Sequence, residues 1–246
     1  MANRFDPRST IIPQIGAVGV GKESAAYHEG LRSYMLSVYN YMASGVLLTG
    51  IVALLFAGSG MAAQILSGPG ILKYVIMFAP LAFVLVLSFG INRLSTGNAQ
   101  LLFWAFATAM GLSMASIFLV YTGTSIASTF FAAAAAFAGL SLFGYSTKKD
   151  LSGMSTFLIM GVVGLLVAMI INIFLQSSAM QMAISFIGVL LFAGLTAYDT
   201  QRIKSLYFEV AGTDMIGKTV IMGALSLYLD FVNMFSFLLQ FMGQRR

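Results

Sequence analysis

Asp199 and Asp230 are the residues of this chain whose type and setting point to chemistry. Asp230 stands about eleven residues into the apolar run 219–242, and Asp199 two residues from the end of another, 180–201. A carboxylate at the centre of a membrane span costs roughly 2.5–3.5 kcal/mol on the insertion scale, so it is expected to face a partner, water or an ion. The structural alternative is an aspartate that merely ties two helices together. The pattern around Asp230 favours function. Gly223, Ser226, Asp230, Asn233 and Gln240 recur at spacings of three, four, three and seven, which places them along one helical stripe among Leu, Met, Phe and Val. In the other run, Thr196 lies three positions before Asp199 and Arg202 three after it. Two carboxylates brought together away from water cannot both ionise cheaply, so they titrate as one coupled unit. With the pair ionised, it binds an arginine or a divalent cation; protonation releases either. Arg93 is the expected arginine. Ca²⁺ prefers carboxylate and neutral oxygens, and Ser226, Asn233 and Thr196 are the expected pore-lining additions.

What must position these side chains is a membrane bundle. The chain has 246 residues, 59% hydrophobic and 9% charged, against roughly 25% charged in a soluble domain. That leaves too little polar surface to cover a globule in water. A bilayer core about 30 Å thick needs roughly 20 helical residues. Seven runs meet that length: about 33–57, 71–91, 99–121, 125–145, 154–176, 180–201 and 219–242. They are too long and too uniformly apolar for barrel strands. The expected fold is all-α and polytopic, with the domain at 31–246 and a soluble, cytoplasmic tail at 1–30. The polar stripe suits a seventh span in the middle of the bundle. Pro80 is expected to kink the second span. Small residues at 132–136 with Ala138-Gly139, and Gly161 with Gly164, are expected to let helices approach closely.

Basic residues give the expected orientation. Arg4, Arg8, Lys22 and Arg32, with Arg93, Lys148, Lys149, Arg202, Lys204 and Lys218 in alternate links, make 10; Lys73, Arg245 and Arg246 on the other side make three. The positive-inside rule then puts the N-terminus in the cytoplasm and, after seven full spans, the C-terminus outside. A re-entrant last segment would return Arg245-Arg246 to the cytoplasm.

Several chemistries are excluded or disfavoured. There is no cysteine and a single histidine, His28, in the tail, so thiolate zinc sites, multi-histidine metal sites and serine–histidine triads inside the membrane are unavailable. Nucleic acid is not an expected partner, because in so apolar a chain the basic residues report topology. No lysine lies inside the seventh span to form a Schiff base with retinal. An intramembrane aspartyl protease needs two carboxylates sharing a proton; here Asp230 follows Leu227-Tyr228-Leu229 where those proteases carry glycines. No enzymatic activity and no cofactor are expected.

Three stretches resemble the Bax inhibitor-1/YccA family of membrane proteins. The first runs from Gly111-Leu112-Ser113-Met114 through Tyr121-Thr122-Gly123 to Ala138-Gly139-Leu140-Ser141-Leu142-Phe143-Gly144-Tyr145. The second is Ala197-Tyr198-Asp199-Thr200-Gln201. The third is Ala224-Leu225-Ser226-Leu227-Tyr228-Leu229-Asp230-Phe231-Val232-Asn233-Met234-Phe235. The resemblance covers about 31–243. It implies seven helices with the seventh surrounded by the other six. It also implies a pH-sensitive calcium leak governed by an aspartate pair, matching Asp199 and Asp230, with Arg93 as latch. Calcium and protons are then what passes, and the inner membrane of a bacterium is the expected location. A second function is implied too: a stress-protective or protease-regulating binding protein, in contact with a membrane-bound protease through its tail and without transport activity.

Overall fold

The computed structural model describes residues 17–246, with side chains from residue 28 onward. Among these residues the fold is helical: α1 (Ala17–Gly58), α2 (Met61–Ser67), α3 (Leu72–Gly90), α4 (Thr96–Val120), α5 (Gly123–Ser146), α6 (Ser155–Leu175), α7 (Ser178–Val210) and α8 (Ile216–Met242). All except α2 are long and apolar enough to cross a membrane, α1 from His28 onward, which makes seven candidate spans. The chain is a multi-pass membrane protein. Most of the expected tail, 1–30, lies outside the residues described in full, and the boundary at residue 30 falls within α1.

Local chemistry explains where the helices differ from the apolar runs. Ser95, expected in a break with Thr96, Gly97 and Asn98, caps α4: its Oγ accepts the Asn98 N–H at 3.2 Å, so the helix begins at Thr96. Ser177 caps α7 in the same way, accepting from Met180. The stretch after Gln201, expected to be a link as far as Lys218, continues α7 for more than two turns. Its helical pitch needs no apolar residues once it has left the bilayer. α3 runs on through Pro80.

The helices form two tiers around α8. α8 packs against α7, α1, α5 and α4, whereas α3 leans on α4 and α6 on α7. In α8, 72% of the residues in the most apolar stretch are buried, against 11% in α3 and 17% in α6. The seventh span is therefore central, and four of the other six touch it directly. The expected small-residue contacts are redistributed. Gly139 and Gly164 face open space, while Gly161 packs on Leu191. The closest approach of α5 is at Gly144, where a Cβ would collide with the Ala197 carbonyl of α7.

Contacts between helix ends define two faces. On one, Gly30 of α1 meets Tyr207 of α7, and Gly217 of α8 meets Thr96 of α4. There the Gln201 side chain donates to the Lys149 carbonyl and accepts the Leu151 N–H, both at 2.8 Å, clipping the α5–α6 link to α7. On the other face the chain end pairs with the α4–α5 link. Thr122 N–H donates to the Gln244 carbonyl (3.1 Å) and Arg246 N–H to that of Val120 (2.9 Å). The Gln244 N–H reaches Ser125 Oγ at 2.9 Å. α8 thus runs from one face to the other and does not re-enter.

Candidate functional site

α7 and α8 are consecutive and antiparallel, and small residues set their register. Gly223 lies against Ile203, and Gly188 against the ring of Phe237. These crossings put Asp230 level with Thr196, one helical turn from Asp199. Asp230 is the fifteenth of the 27 residues of α8, near the middle of the bundle. Both carboxylates are withdrawn from the surface: Asp230 is 4% exposed, Asp199 8% and Thr196 0%.

The two carboxylates differ in company. Asp199 Oδ1 accepts from Arg202 Nη1 at 3.4 Å along its own helix. Asp230 lies within electrostatic reach of Asp199 and Arg202, yet its Oδ2 is buried with no hydrogen-bond donor among the described residues. A buried carboxyl oxygen without a donor either carries a proton or meets a cation. Asn233, one turn further along α8 and half-buried, donates its Nδ2 to the Leu229 carbonyl at 2.8 Å, which leaves Oδ1 as an acceptor. Ser226 is half-buried on the same stripe. The geometry brings Asp199, Asp230 and Thr196 within one helical turn of one another along the bundle, with Ser226 and Asn233 about a turn to either side of Asp230 on α8.

Arg93 is not among them. It is exposed in the turn after α3, and α3 leans on α4, which stands between it and the aspartates. The cation beside Asp199 is Arg202, whose side chain is 52% exposed. The i,i+3 spacing in the sequence is its signal. Among the described residues no group of three or more His, Cys, Asp or Glu forms a metal cluster. The two carboxylates and the neutral oxygens of Thr196, Ser226 and Asn233 are of the kind that hard cations such as Ca²⁺ prefer.

A hydrogen-bonded chain that the motifs do not announce leads toward this level. Thr200 Oγ1 donates to the Thr196 carbonyl at 2.7 Å. Ser141 Oγ is 2.9 Å from Thr200 Oγ1, and Tyr39 Oη is 2.6 Å from Ser141 Oγ. A hydroxyl has one proton, so the direction is fixed: Tyr39 donates to Ser141, Ser141 to Thr200, and Thr200 to the backbone. The same reasoning orders a second chain. Thr49 Oγ1 donates to the Ala107 carbonyl at 2.8 Å, so the fully buried Tyr228 donates to Thr49 across 2.6 Å. These bonds lock α1, α5 and α7, and α1, α4 and α8, around the aspartates.

Residues 31–246 match the model of a family described as "Inhibitor of apoptosis-promoting Bax1". The inner membrane protein YbhL of Escherichia coli (strain K12) is 43% identical over 219 residues, covering 88% of this chain and 94% of that protein. Uncharacterized proteins of Rickettsia prowazekii and Caulobacter vibrioides are each 46% identical, over 225 and 230 residues. These alignments cover 91% and 88% of this chain, and 94% and 90% of the two relatives. With most of its length matched, and the aspartate-bearing motifs on α7 and α8 within the matched region, the chain belongs to the Bax inhibitor-1/YccA family.

Proposed function

We propose that this protein is a pH-sensitive leak for calcium and other cations across a bacterial inner membrane, gated by Asp199 and Asp230. The observation that carries the reading is the unpartnered Oδ2 of Asp230 on the most buried helix, beside a second buried carboxylate. An oxygen in that position serves a proton or a passing cation. Arg202 takes the role expected of Arg93: tethered to Asp199 at 3.4 Å but half in solvent, it exchanges with an incoming cation when the pair ionises. Thr196, Ser226 and Asn233 supply neutral oxygens beside the carboxylates. Among the described residues seven basic side chains lie in the segments on the side of Arg32, against three on the other, which orients the N-terminus toward the cytoplasm. The name of the Escherichia coli relative supports the inner membrane.

The test is Ca²⁺ entry into liposomes that hold the purified protein, from about pH 6 to about pH 8, beside Asp199→Asn and Asp230→Asn. Flux that varies with pH in the wild type and loses that variation in either substitution is the expected result. A folded wild type without flux at any pH overturns the channel. The binding-protein reading, with a membrane protease as partner, would then be the one to pursue.

A further inference from the structure

α1 and α5 both pack on α8, and between them runs a furrow of about 700 Å³ that reaches Phe231, the residue after Asp230. A second cavity of about 310 Å³ shares Val46, Phe130 and Phe231 with it and carries the furrow on toward Gly123. Along α1 the first cavity extends from Arg32 to Leu47, which at about 1.5 Å per residue is about 22 Å, more than one leaflet of a core about 30 Å thick. Away from its polar end the walls are apolar apart from Tyr39 and Ser141, whose hydroxyls are bonded to each other. Ala134 and Ala138 keep the α5 side shallow, and among the described residues no acidic side chain lines the cavity. Its polar end holds Arg32 and Tyr145. Lys204 donates to the Tyr145 carbonyl at 2.7 Å and lies over the Tyr145 ring, adding a second positive charge. Arg32 is exposed and forms no ion pair with a described residue.

A largely apolar slot as long as an acyl chain, ending in basic side chains that form no ion pair among the described residues, at the face where the helices leave the bilayer, has the chemistry of a lipid site. We propose that the furrow is a binding site for one acyl chain of an anionic phospholipid whose headgroup rests on Arg32, with Lys204 alongside. The tail lies against Phe231 and so braces the turn of α8 that carries Asp230. The headgroup sits within the basic rim that Lys148 and Lys149 continue.

The experiment is native mass spectrometry of the full-length protein in mild detergent with added phosphatidylglycerol, phosphatidylcholine, or glycerol phosphate without tails. Wild type, Arg32→Gln and Ala138→Phe are compared, each first shown to be helical and monodisperse. The wild type is expected to retain phosphatidylglycerol about fivefold better than phosphatidylcholine, the ratio one basic side chain gives at an anionic surface. Arg32→Gln levels the two lipids. Ala138→Phe, at an exposed position that fills the slot without entering the core, loses both. Equal retention of the two lipids by the wild type, or binding of the tailless headgroup, overturns the proposal. So does unchanged retention in Ala138→Phe. Failure of the wild type to hold either lipid overturns it too, and points to a segment of the chain itself as the occupant.

Discussion

α3 and α8 are both membrane-spanning helices, and they are built on opposite terms. α3 is the more apolar of the two and lies almost wholly at the surface, whereas α8 carries Ser226, Asp230 and Asn233 and is the most buried span. In water the order would be reversed. Lipid tails are as apolar as leucine, so hydrocarbon side chains gain little from leaving them. A polar stripe, by contrast, must be enclosed by protein. In this molecule depth is read from polarity, and the candidate site residues follow the deep helix.

The contrast is broken most directly by truncating one aromatic ring on each helix. Tyr228→Ala in α8 empties a fully buried site and removes the donor to Thr49. It is expected to cost about 3–5 kcal/mol, the range for large-to-small changes in a packed core. Phe89→Ala in α3, where the ring is 84% exposed, is expected to stay within about 0.5 kcal/mol. Reversible unfolding in mixed micelles measures both; equal losses would mean that burial in this bundle carries no packing energy.

A second pair of substitutions sharpens the picture within α5. Gly144→Ala drives a methyl into the Ala197 carbonyl and is expected to destabilise by about 1–3 kcal/mol. Gly139→Ala meets open space and is expected to gain up to about 1 kcal/mol from helix propensity. A thermal-shift series reads the sign of each.

The two arginines test the same contrast functionally. Arg202→Gln, next to Asp199, is expected to move the pH midpoint of Ca²⁺ flux by about one unit, the effect of one charge at close range. Arg93→Gln, in the exposed turn after α3, is expected to leave it in place. A larger response at Arg93 would restore that residue as the latch.

The smallest effect belongs to the α5–α6 link outside the membrane. Asp150 accepts from both the Ser152 N–H and the Ser152 hydroxyl, at 2.9 Å each, and these bonds hold its carboxyl below the usual carboxylate range. A carboxylate with a depressed folded pKa stabilises above its unfolded value of about 3.9, and that contribution fades as the pH falls through the folded one. Asp150→Asn is expected to show faster amide exchange at Ser152 at neutral pH, and the difference from wild type closes in strong acid. A gap that persists in acid would assign the protection to something other than the carboxylate.

The spans were legible because the bilayer imposes a length: about twenty apolar residues mark a crossing whatever packs beside them. Cap residues and helix ends were less so. Ser95 reads as a loop residue until its hydroxyl is seen on Asn98, and the polar continuation of α7 past Gln201 has no hydrophobic period to announce it. The stripe on α8 and the isolation of Asp230 also came from sequence, since a charge in an apolar run is conspicuous by itself. Arg202 is visible as an i,i+3 neighbour, yet the sequence points to Arg93, because nothing in a one-dimensional string says that α3 packs on α4 and not on the helices of the aspartates.

Sequence alone therefore determined the membrane class and the seven crossings, and it singled out the two carboxylates as charges within apolar runs; all of this follows from composition and periodicity within one segment. Tertiary structure decided the rest: which helices touch α8, which arginine meets Asp199, how the Tyr39 and Tyr228 hydroxyls are engaged, and the furrow between α1 and α5. Each of these joins residues far apart in the chain. Between helices in a membrane, partners are chosen by close backbone approach and hydrogen bonding, which neither hydropathy nor spacing encodes.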